Sequence, residues 1–175
     1  MTTQLRIAAD RQLDAQVVTS GTETALIMRL SGEAFGIAVG LVHEIMDPIP
    51  VTKVPNAPAF ASGLINVRGA VVPVVDVRER LRMAPTLPGS AARIVVLDVE
   101  IDAKLTRLAI LADAVEEVID IETSYTEPVP DMGAPWPEAY VRGVARNRGS
   151  IVVLLNPETL FRPDGGRSSN SESRT

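Results

Sequence analysis

Cysteine is absent from this sequence, which excludes disulfides and thiolate metal sites and suits a reducing compartment. Histidine occurs once, as His43, so a metal site would have to be built from carboxylates, and no calcium loop of alternating Asp and Asn is present. There is no G-x-S-x-G elbow and neither glycine pattern that cradles phosphate. A kinase catalytic domain is excluded by length and by the missing nucleotide-binding glycines. Lysine is nearly missing: Lys53 and Lys104 are the only two, the arginines are scattered, and the net charge is -5 with a pI near 4.9. Nucleic acid, which selects a basic patch, is not an expected partner. Aromatic residues make up only 3%, so the core is built from Val, Ile, Leu and Ala, and no base-stacking platform is expected. Apolar runs stop at four to six residues, far short of the ~18–20 that cross a bilayer. Met1 to Asp10 holds no apolar signal-peptide core. The expectation is a cytoplasmic protein not inserted in a membrane, with no cofactor.

What is present is short β-branched runs punctuated by Gly and Pro, a strand pattern. Strands are expected at 25–30, 34–39, 41–46, 63–67, 70–75, 93–99, 106–111, 114–119, 141–146 and 150–155. Two short helices follow strands. Asp76 is positioned to cap the first, with Glu79 completing a capping box before Leu81. Asn156-Pro157-Glu158 opens the second with Asn at the cap and Pro at the first helical position. A further turn is expected at Ala57-Pro58. Residues 84–90 and 127–137 read as Pro/Gly-rich loops. Residues 1–22 form an N-terminal extension in which Leu5, Ile7 and Leu13 mark a short helix, and 163–175 read as a disordered tail.

The chain repeats itself. Gly63-Leu64-Ile65-Asn66-Val67-Arg68-Gly69-Ala70-Val71-Val72-Pro73-Val74-Val75-Asp76 matches Gly143 to Asn156 at a constant offset of 80. Upstream, Gly36–Val39 and Val42–Asp47 match Ala109–Ala112 and Val115–Asp120 at an offset of 73. In each copy an Arg-Gly tight turn, its Gly at positive φ, joins two apolar runs, and an Asx cap turns the chain into a helix. Pro73 has no N–H to give a ladder, so its strand is expected at an edge or bulged, and the copies should differ there because the second has Val153. Many short strands with few helices imply a mostly β fold of small barrels or sandwiches.

No constellation of catalytic residues stands out. His43 lies in an alternating strand and reads as a surface or interface residue. Asp113, Glu116, Glu117, Asp120 and Glu122 read as a solvated strand face, with Val115, Val118, Ile119 and Ile121 carrying the burial. A ligand-binding or catalytic β-barrel remains an alternative supported by His43 and this acidic cluster alone.

Five blocks carry a family resemblance: Gly32-Glu33-x-Phe35-Gly36-Ile37, Glu44-Ile45, Val54-Pro55-Asn56-x-Pro58-x-Phe60, Gly63 to Gly69, and Val72-Pro73-Val74-Val75-Asp76. Together with Tyr140-Val141-Arg142-Gly143-Val144-Ala145 they resemble the CheW family of chemotaxis coupling proteins, over about residues 24–162. The resemblance implies two five-stranded SH3-like β-barrels side by side within 23–162, sequential or interleaved, roughly 23–82 and 91–162. It implies no enzyme activity. It implies binding to the regulatory domain of a CheA-type histidine kinase and to the cytoplasmic tip of chemoreceptors, in membrane-associated arrays. A related adaptor for pili, biofilm or second-messenger control fits the same residues.

The resemblance places partner contacts at Val42, Glu44, Ile45, Asn66, Arg68 and Gly69. Arg68 offers a rigid fork of donors to carboxylates or carbonyls. It can equally pair with Glu44 to fix the hairpin. Of Val42 and Ile45, one must face out of a half-exposed strand, and Ile45 is the one expected in the core. The sequence departs from the family pattern at His43, where Gln is common, and at Ala61-Ser62, where a larger apolar residue and a Lys are common.

Overall fold

A computed structural model describes residues 21–129 and 135–163. The expected N-terminal helix, and all but the first residue of the expected tail, lie outside them. Ten strands form where the β-branched runs predict: β1 (Thr22–Leu30), β2 (Glu33–Ala38), β3 (Val42–Met46), β4 (Ala61–Val67), β5 (Ala70–Val75), β6 (Arg93–Ile101), β7 (Lys104–Ala112), β8 (Ala114–Glu122), β9 (Val141–Asn147) and β10 (Ser150–Leu155). One-turn helices follow β5 and β10, α1 (Val77–Arg80) and α2 (Pro157–Leu160). The turn at Ala57-Pro58 is present as the bond from the Ala61 N–H to Pro58 O, 2.9 Å. Three short 3-10 turns form at Val39–Leu41, Thr123–Tyr125 and Glu138–Tyr140.

The strands make two five-stranded sheets, in the orders β8-β1-β2-β10-β9 and β3-β6-β7-β5-β4. Renumbering each strand by five turns one order into the other. Each sheet therefore takes two strands from one repeat and three from the other. The sheets do not divide at the 23–82 and 91–162 halves: one holds the contiguous middle, β3 to β7, and the other holds both ends. Neither sheet's ladder runs unbroken into a closed barrel. Partial closure comes from one bridge in each, Thr52 with Leu64 and Glu127 with Val144. The fold is nonetheless the expected pair of SH3-like bodies with few helices.

The duplication holds at the level of irregularities. Ladder shifts leave His43 as the extra residue on β3 and Glu116 as the extra residue on β8. The same happens at Ser62 on β4 and Arg142 on β9. Such bulges re-aim a side chain without ending the strand.

One large core runs between the sheets and includes Leu26, Phe35, Ile37, Leu81, Val95, Leu97, Ile110, Leu155 and Phe161. Smaller clusters fill each outer face, around Ile27 and Leu154 in one sheet and Ile94 and Val96 in the other. The counterparts Leu81 and Phe161 are both buried in the main core. Asp76 caps α1 by accepting from the Arg78 N–H at 3.0 Å, but Glu79 does not complete a box, because the Asp76 N–H is taken by Phe60 O at 2.6 Å. Asn156 makes no side-chain cap, and its N–H goes to Tyr140 O at 2.9 Å, the matching bond.

Pro73 corrects its expectation. It sits in an interior strand, between β7 and β4, and β5 itself is not bulged. The proline is accommodated because the parallel ladder from β5 to β7 begins only at Val74. In the other sheet it begins at Val153, the counterpart of Pro73.

Candidate functional site

The hairpin of β4 and β5 turns through two residues, Arg68 at φ 51 and Gly69 at φ 86. Both central residues of such a turn need positive φ, which suits Gly and strains Arg. The turn is held by the Asn66 carboxamide, whose Oδ1 accepts from the Gly69 N–H at 2.8 Å. Arg68 is held in turn by β3: its Nε donates to Glu44 Oε2 at 3.0 Å. The Glu44 side chain is 19% exposed and that of Arg68 81%. One guanidinium N–H is thus committed inside the molecule, while most of the fork stays available to another molecule. Glu44 Oε1 is enclosed without a hydrogen-bond donor among the described residues.

Val42, Glu44 and Met46 face inward along β3, while His43 and Ile45 face out. Ile45 is 42% exposed, so the expectation that it packs in the core is corrected; Val42 instead packs on the main core. Glu44 decides this, because its carboxylate must reach under the turn to Arg68 and alternation then sends Ile45 to the surface. Val71, inside an apolar run, is nonetheless 70% exposed. Its signal was available: it pairs across the ladder with Asn66, the polar residue that marks the outward face. Asn66 and Val71 share the outward face of the β4–β5 hairpin and border a shallow groove lined by Ile49, Pro50, Thr52 and Leu64, while Arg68 sits at the hairpin tip and Ile45 is exposed on β3.

His43 belongs to a separate polar cluster. Its Nδ1 lies 3.3 Å from Asp98 Oδ2 and 3.2 Å from an Arg107 nitrogen, and Arg107 Nε donates to Asp98 at 2.7 Å. The Arg107 hydrogen bond holds the Asp98 carboxyl below the usual range, against the opposing effect of partial burial. The acidic residues on and just before β8 are more than a solvated face. Asp113 accepts from the Ser31 N–H at 2.6 Å and from Thr86 at 2.9 Å, and pairs with buried Arg78. Glu116 takes Arg29 at 2.7 Å, Glu117 takes Asn147 at 3.0 Å, and Asp120 takes Thr24 at 2.7 Å. Val118, expected to be buried, is 52% exposed. Among the described residues no three acidic or imidazole groups gather to hold a metal ion, and no helix is long and apolar enough to cross a membrane.

The family model of the CheW-like domain matches residues 24–164. The chain belongs to the CheW family. A chemotaxis protein CheW of Rhizobium meliloti is 30% identical over 147 residues, covering 84% of this chain and 92% of the relative. The chemotaxis protein CheW of Treponema pallidum is 30% identical over 137 residues, 76% of this chain and 78% of the relative. The crystal structure of the scaffolding protein TtCheW from Thermoanaerobacter tengcongensis matches with a TM-score of 0.72 at 28% identity, covering 83% of this chain and 92% of that one. CheW proteins are scaffolds of bacterial chemotaxis signalling, and their known role is to couple chemoreceptors to the histidine kinase CheA.

Proposed function

We propose that this CheW-family chain is a non-catalytic adaptor that binds the regulatory domain of a CheA-type kinase and the cytoplasmic tip of a chemoreceptor. It works in the cytoplasm, recruited to membrane-associated receptor arrays. Val42, Glu44, Ile45, Asn66, Arg68 and Gly69 make the partner surface, with Val71 added. Val42 acts from beneath, as a core residue that seats β3. The observation that carries this reading is the Arg68–Glu44 pair: a strained, exposed arginine is fixed at a turn tip by a carboxylate of β3, with Ile45 exposed on that strand and Val71 on the hairpin. A rigid donor fork together with exposed Ile and Val is the composition of a recognition surface, where a few anchors carry most of the affinity.

The test is titration of the full chain against the kinase regulatory domain from the same genome. Wild type should bind saturably, and Arg68→Glu should weaken binding at least about tenfold, or ~1.4 kcal/mol. The variant should melt at a lower temperature, because it leaves the largely covered Glu44 carboxylate facing a second one, but should still melt cooperatively, because the turn tip itself is exposed. Undiminished binding by Arg68→Glu, or no wild-type binding at tens of micromolar, would overturn the assignment.

A further inference from the structure

The sheet of β3 to β7 is open at one end, where its counterpart is plugged. In the β1, β2, β8–β10 sheet the bulge residue Arg142 donates to Leu155 O at 3.2 Å and forks onto Glu23 at 2.8 and 2.6 Å. The matching bulge residue on β4 is Ser62, too short to reach across. The Glu23 position is matched by Ala92, and the Leu155 position by Val75. The result is a cavity of ≈ 350 Å³, within the ~300–1,000 Å³ of small-molecule sites. Val74, Ile94, Leu111 and Ile49 make its apolar walls, and the 85–88 loop borders it.

The polar groups at this cavity are unequal. Arg78 lines it with its charge already neutralised, pairing with Asp113 and donating to Leu111 O at 3.1 Å, and only its buried Nε is left without a partner among the described residues. Asp76, also lining it, is spent on the Arg78 N–H. Lys53 lines the cavity from an exposed position, and among the described residues it makes no ion pair or hydrogen bond. One free cation beside apolar walls selects an apolar body with an anionic group, and Asp76 disfavours a second negative charge.

We propose that this cavity binds small amphipathic monocarboxylates, with the apolar body against Val74, Ile94 and Leu111 and the carboxylate at Lys53. This goes beyond the coupling role and does not depend on it. Octanoate titrated into the full chain, below its aggregation range and read by methyl NMR, is the probe. Saturable shifts at Val74, Ile94 and Leu111 are expected. Octanol should bind at least about threefold more weakly, since it lacks the charge that meets Lys53. Ser62→Arg, which copies the plug of the other sheet, should abolish octanoate binding. Lys53→Ala, at an exposed position, should weaken octanoate at least about threefold and leave octanol unchanged; it carries the test if Ser62→Arg does not fold. Absence of saturable shifts, octanol binding as tightly as octanoate, or undiminished octanoate binding by a folded Ser62→Arg or by Lys53→Ala would overturn the proposal. Kinase binding by the same variants, measured separately, keeps this outcome distinct from that of the partner surface.

Discussion

The two sheets are copies that have diverged at corresponding positions. Glu44 and Arg68 at one turn become Glu117 and Arg148 at the other, where the pair is looser, 3.6 Å against 3.0 Å, and Asn147 adds a second donor to the glutamate. Both turns hold an Arg-Gly at positive φ, with Arg148 at 48 and Gly149 at 82. Exposed Ile45 and Val71 become exposed Val118 and Ile151. The glutamate under each turn is thus part of the fold, and a partner-binding role must rest on what differs above it. The tighter pair, whose glutamate has a single donor, and the open pocket both belong to the β3–β7 sheet, whereas the other sheet has closed the equivalent positions with its own side chains.

The largest effect should come where the copies approach backbone most closely. A Cβ on Gly63 would lie 2.3 Å from Thr52 O, and Gly63 has φ +151. A Cβ on Gly143 would lie 2.7 Å from Glu127 O, with no positive φ. Each glycine lets the segment after the third strand of its repeat bridge to the fourth, through Thr52–Leu64 and Glu127–Val144. Gly63→Ala therefore combines clash with strain and should cost about 3–4 kcal/mol in urea unfolding, while Gly143→Ala should cost visibly less. Equal costs would show that the two closures are energetically the same.

Next is the arginine pair. Arg68→Glu should weaken kinase binding at least about tenfold, and Arg148→Glu less than about threefold, if the β3 surface carries the recognition. Equal losses in a titration would mean that the partner does not distinguish the copies.

Local structure was legible because it is written locally. β-branched runs, the Arg-Gly turns and the Asp76 cap each use chemistry spanning only a few residues, and the offset of 80 lets one copy confirm the other. The sheet assignment was not legible, because β1 pairs with β8 and β2 with β10 through contacts that no local pattern encodes. Burial failed at equivalent places, Ile45 and Val118, for one reason: both follow a glutamate that faces inward to an arginine, and hydrophobicity alone cannot show that a carboxylate takes the inner position. The candidate surface was half legible. Glu44, Asn66, Arg68 and Gly69 converge as expected, whereas Val71 was read only as part of an apolar run. Ser62 was noted as unusual, but its consequence is visible only beside Arg142.

Pro73 offers a smaller test. Pro73→Val restores the residue type of the other copy and supplies an N–H facing β7. The new amide should become protected in hydrogen exchange as the ladder extends by one position toward Leu108. Stability should change by under ~1 kcal/mol, because one net hydrogen bond is offset by the greater freedom of the unfolded chain without proline. An unprotected amide would show that the β5–β7 gap is set by sheet twist and not by the proline.

The smallest expected effect concerns a pair of bulges whose charges have inverted. At the His43 bulge the facing residue on β6 is Asp98; at the matching Glu116 bulge the facing residue on β1 is Arg29. Acid therefore acts on different members of the two clusters. Asp98, held down chiefly by the Arg107 hydrogen bond, has a folded pKa below the 3.8 of an unperturbed aspartate. Its contribution to stability is present above that value and is lost as pH falls from it through the lower folded pKa, since over that span the unfolded state takes up the proton while the folded state still resists it. Unfolding of the wild type between pH 5 and 2 should show this loss, and Asp98→Asn should flatten that part of the profile while lowering stability slightly at pH 7. Because Asp98 is partly exposed, the change should be small and should shrink further in salt. An unaltered acid profile in Asp98→Asn would place the acid sensitivity elsewhere, with the carboxylates of β8 the next to test.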